Sequence, residues 1–79
     1  MILYFENGYG EIRELATVNT MEEANKHIKD FLDAHNYKSY YSRMWVAGEY
    51  ITIDVGSHTE FFKIGKGTKD ELSAFLNRG

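Results

Sequence analysis

The 79-residue chain contains no cysteine and no proline. Without thiols it can form no disulfide, no thiolate nucleophile and no cysteine-type zinc site. The missing cysteine suits a reducing compartment, so the expectation is a cytoplasmic protein in its host cell. No stretch approaches the ~18 apolar residues of a membrane span. The first residues, Met1 to Phe5, lack a basic flank and give way to Glu6, which does not read as a secretory signal. With no repeat and no low-complexity stretch, nothing marks a linker, and the chain reads as one small domain.

What is present is apolar and aromatic. Hydrophobic residues make up 43% of the chain, enough for a core and too many for a disordered segment. Aromatics are 15%, more than so small a core is expected to bury. The net charge of −3 is uneven: the acids dominate up to Asn36, and the remainder is close to neutral. An acidic total argues against a protein built to grip a nucleic-acid backbone, although the aromatic second half keeps that reading open.

Met1 to Glu6 reads as a strand, and Asn7-Gly8 as the type I′ turn of a hairpin returning through Glu11 to Val18. A two-residue loop sets Glu6 against Tyr9 and Leu3 against Ile12. That register puts Leu3, Phe5, Ile12, Ala16 and Val18 on the core face, with a bulge expected near the discordant Glu14. Thr20 and Glu23 form a capping-box pattern, and Met21, Ala24, Ile28, Phe31, Leu32 and His35 then recur at helical spacing up to Asn36.

Lys38 to Val46 reads as a third strand, Tyr50 to Val55 as a fourth and Thr59 to Ile64 as a fifth. Gly65-Lys66-Gly67 reads as a flexible break. Thr68 and Glu71 form a second capping box, opening a short helix with Leu72, Phe75 and Leu76 on one side. The order ββαβββα predicts an α+β fold: a five-stranded antiparallel sheet, one long helix packed on a face and a short C-terminal helix.

Three groups of residues carry chemistry. In a strand from Lys38, Tyr41, Arg43 and Trp45 share one face, while Tyr40, Met44 and Val46 share the other, which looks like core. An exposed Tyr-Arg-Trp row has the composition of protein-binding hot spots. The bland reading is that the last helix covers it. Asp54, Ser57, His58 and Glu60 cluster at the turn between the last two strands. An acid, a histidine and a hydroxyl are the raw material of general-base catalysis, but Asp54 and Ser57 are more simply turn formers that bond backbone amides. No metal is expected there, because no second histidine stands at a ligand spacing. Third, Lys63, Lys66 and Lys69 surround two glycines, only a fragment of a phosphate-binding loop.

From Thr20 onward the element order resembles the double-stranded-RNA-binding domain. That family has a lysine-rich start to its last helix. The matching Lys66-Gly67-Thr68-Lys69-Asp70-Glu71 has two acids, and the N-terminal hairpin is foreign to it. The stretches Tyr37-Lys38-Ser39-Tyr40-Tyr41-Ser42-Arg43-Met44-Trp45 and Thr52 to Phe62 look like small uncharacterised proteins of phages and prophages of Gram-positive bacteria. The resemblance implies a protein that binds and blocks a host protein, as anti-CRISPR and other anti-defence factors do.

The leading expectation is thus a non-enzymatic interaction protein without a cofactor. Its partner would be a protein, met through Tyr41, Arg43, Trp45, His58 and Glu60. The alternative is a nucleic-acid-binding module using Tyr40, Lys38, Lys63 and Lys66. An enzyme built on Asp54, His58 and Glu60 ranks last. A homodimer through an edge strand or the aromatic face is a further option, and a membrane partner is not expected.

Overall fold

A computed structural model describes residues 1–35, 43–56 and 59–77. It has the anticipated order: β1 (Ile2–Glu6), β2 (Ile12–Thr17), α1 (Met21–Ala34), β3 (Arg43–Ala47), β4 (Tyr50–Asp54), β5 (Phe61–Gly65) and α2 (Lys69–Leu76). The strands form one antiparallel sheet in the order β2-β1-β5-β4-β3. β3 to β5 form a meander whose last strand pairs back onto β1. The first strand is therefore internal, β5 is central, and β2 and β3 are the edges. Among the described residues, no helix is long and apolar enough to cross a membrane.

The sheet's two faces differ because side chains alternate along every strand. Leu3, Ile51, Ile53, Phe62 and Ile64 point to one face and are almost wholly buried. They form a single core with Ala24, Ile28 and Leu32 of α1 and with Leu72 and Phe75 of α2. Both helices thus lie on the same face. Thr20 caps α1 by accepting from the Glu23 amide, at 3.1 Å. The Glu23 carboxylate accepts from the Asn19 amide rather than that of Thr20, so this capping box is displaced by one residue. α2 has the complete reciprocal box, with Thr68 accepting from Glu71 N–H and Glu71 accepting from Thr68 N–H.

The first hairpin departs from the expected register. The Asn7 carbonyl accepts from Gly10 N–H, and Asn7 N–H donates to the Glu11 carbonyl. The loop is therefore three residues, Gly8 to Gly10, with Gly10 rather than Gly8 at positive φ (+81°). Asn7 selects this longer loop, because its Oδ1 accepts from both Tyr9 N–H and Glu11 N–H. Pairing becomes Glu6 with Ile12 and Phe5 with Arg13. An odd shift of register exchanges the faces of a strand. Ile12 consequently lies on the helix-free side, 47% exposed, and Arg13 on the helix side. The bulge anticipated near Glu14 falls at Leu15 and reverses the exchange, so that Ala16 lies opposite Leu3 on the core side.

Gly65 corrects another expectation. It belongs to β5, is buried, and pairs with both Ile2 and Tyr50. A Cβ there would lie 2.6 Å from the Tyr50 ring and 2.8 Å from the Glu49 carbonyl, so glycine is needed for close approach rather than for flexibility.

Candidate interaction surface

The face without helices is organised by the strand registers into cross-strand rows. One runs Arg43, Asp54, Phe61, Glu6 and Ile12; the next runs Trp45, Thr52, Lys63, Tyr4 and Glu14. Tyr50 follows beside Gly65, and its ring meets Tyr4 edge-on at 5.8 Å. The result is an open platform of aromatic rings and charges. Trp45 is 40% exposed, and Arg43 sits over its ring at 5.7 Å. The terminal helix does not cover this row, because Leu72 and Phe75 are committed to the core on the other side.

Both cations in these two rows are held by carboxylates. Arg43 Nη2 lies 3.1 Å from Asp54 Oδ2, and Lys63 Nζ lies 3.4 Å from Glu6 Oε1. Lys63 also lies 5.6 Å from the Tyr50 ring centre. A cation already held by a carboxylate and a ring makes a poor phosphate ligand. Lys66 is exposed but follows β5, outside the platform.

The tip after β4 is tied to the backbone as a turn former should be. Asp54 Oδ1 accepts from Gly56 N–H at 2.8 Å while Oδ2 accepts from Arg43, and Gly56 takes φ +92°. Asp54 is 9% exposed. Glu60 is not on the Arg43–Trp45 platform; it lines a cavity on the helix side, together with Phe62 and Val55. Asp54 and Glu60 therefore face opposite sides of the sheet. Tyr41, Tyr40, Lys38, Ser57 and His58 lie outside the described residues. Among the described residues, no group of three histidine or acidic side chains is placed to hold a metal ion.

That cavity was not foreseen. It has a volume of about 570 Å³ and opens where the end of α1 meets the first hairpin. Phe5, Phe31 and Phe62 form its floor, with ring centres 4.6–5.4 Å apart. Arg13 and His35 stand at its margin. His35 stacks on Phe31 at 4.1 Å, and its Nδ1 lies 2.8 Å from the Phe31 carbonyl oxygen. The sequence signal for the cavity was the three-residue hairpin loop: only its register turns Arg13 toward Phe5.

No protein-family model, curated protein or solved structure matches this chain.

Proposed function

We propose that this is a non-enzymatic interaction protein that binds a protein partner through its helix-free sheet face. Arg43 and Trp45 are the described anchors, and Tyr41 and His58 are proposed to extend the surface. The observation carrying this reading is the half-exposed Trp45, stacked with Arg43 on a platform whose two cations are already paired. A large ring held in place by a neighbour loses little entropy on binding, which is why Trp and Arg dominate interface energetics. The resemblance to small phage-encoded proteins supports a host protein as the partner and inhibition as the outcome. The paired cations favour this over the nucleic-acid reading, in which free lysines would be needed along the stacking rings.

The test is affinity capture from a bacterial host lysate with the wild-type chain and with Trp45→Ala, each checked for folding by thermal melting. A captured protein that binds the purified wild-type chain and loses at least tenfold in affinity with Trp45→Ala supports the proposal. Unchanged affinity for every captured protein removes this surface from consideration. Retention of an oligonucleotide, weakening steeply with salt, would favour the nucleic-acid reading instead. A concentration-dependent dimer abolished by the same substitution would identify the partner as a second copy.

A further inference from the structure

The helix-side cavity lies across the sheet from Trp45, and its chemistry points to a different kind of ligand. Its volume of about 570 Å³ lies within the ~300–1,000 Å³ typical of small-molecule sites. The floor of Phe5, Phe31 and Phe62 offers rings to a flat apolar body. Phe31 is fixed from two sides, packed on Phe5 at 4.6 Å and stacked under His35 at 4.1 Å. The floor is therefore preformed.

Arg13 supplies the polar determinant. It lies on the helix side of the edge strand β2, opposite Phe5, with its side chain exposed at the cavity margin. Among the described residues it makes no ion pair, although Glu11 and Glu60 also line the cavity. The Glu11 carboxylate accepts instead from Asn7 Nδ2 at 2.9 Å, within the hairpin loop. A guanidinium presents a planar fork of donors that matches one carboxylate, and it is worth most beside a surface that excludes water. The Glu11 and Glu60 carboxylates oppose each negative charge a ligand brings, so a dicarboxylate or phosphate ester is disfavoured more strongly than a monocarboxylate.

We infer that this cavity binds a small planar apolar monocarboxylate, its ring on the phenylalanine floor and its carboxylate on Arg13. The probe is 2-naphthoate, compared with the neutral isostere 2-naphthamide, by calorimetry and amide chemical-shift mapping on the full chain. Naphthoate is expected to bind at least tenfold tighter than naphthamide, with shifts centred on Phe5, Phe31 and Arg13. Arg13→Gln is expected to erase that preference while leaving the melting temperature within a degree or two. The inference is overturned if neither probe shifts these amides at millimolar concentration, or if the two bind equally. It also fails if the shifts centre on Trp45, or if Arg13→Gln keeps the preference. Because Trp45 is on the opposite face, failure here leaves the partner surface untouched.

Discussion

Asp54 and Gly65 show how single residues constrain this sheet for different reasons. Asp54 satisfies the Gly56 amide and Arg43 at once, so its removal strands a backbone donor beside a nearly buried position. Asp54→Ala is expected to cost about 1–3 kcal/mol, measured by urea unfolding. Arg43 is largely exposed, and Arg43→Ala should cost well under that. Gly65 has no room for a methyl group against Tyr50 and Glu49. Gly65→Ala is expected to destabilise by about 1–3 kcal/mol and to displace the Tyr50 ring, read as a loss in melting temperature with changed Tyr50 shifts. Asp54 as turn former was legible in the sequence, because an Asp side chain readily bonds the backbone amide two residues on. The demand on Gly65 was not, because its crowding comes from a strand fifteen positions earlier.

At the scale of elements, α2 depends on its cap and its docking together. Eight residues cannot hold a helix in water, so Leu72 and Phe75 must be buried for it to form. Leu72→Ala is expected to cost about 2–5 kcal/mol, as loss of a fully buried leucine does. Thr68→Ala should cost about 1 kcal/mol through the cap alone. The Glu71 carboxyl is held below its ordinary value of 4.5 by the Thr68 amide and then by the Thr68 hydroxyl. The folded form thus favours the ionised carboxylate. Its stabilising contribution is present above pH 4.5 and is lost as the pH falls through the depressed folded value. Glu71→Gln is expected to flatten that acid limb in pH-dependent unfolding, being less stable than the wild-type chain at pH 7 and equal to it below the depressed folded value. Both caps were legible as Thr-x-x-Glu spacings, since capping is a local hydrogen-bonding event. The partner of Glu23 was misassigned by one residue, because the choice between neighbouring amides depends on how the chain enters the helix.

Among the described residues, the molecule is a two-layer arrangement in which both helices lie on one face of the sheet and none lies on the other. β1, β5 and β4 are paired on both sides, whereas β2 and β3 are edges. Amide exchange is expected to be slowest in the three inner strands and faster at Arg43–Ala47 and Ile12–Thr17, because edges open without disrupting the core. Loss of protection in the inner strands before the edges would contradict this sheet order.

The sequence by itself determined the element order, both Thr caps, the core stripe of α1, and the separation of Met44 and Val46 from Arg43 and Trp45. These follow from short-range periodicity and local hydrogen bonding, which need no knowledge of distant contacts. Tertiary structure alone decided the rest. Both helices share one face because their apolar sides complete one core, and this leaves Trp45 uncovered. The side taken by Arg13 depended on whether Asn7 closed a loop of two residues or three, a difference that reverses a strand's faces. Asp54 and Glu60, six residues apart in the chain, were parted by the sheet itself, one onto the platform and the other into the cavity.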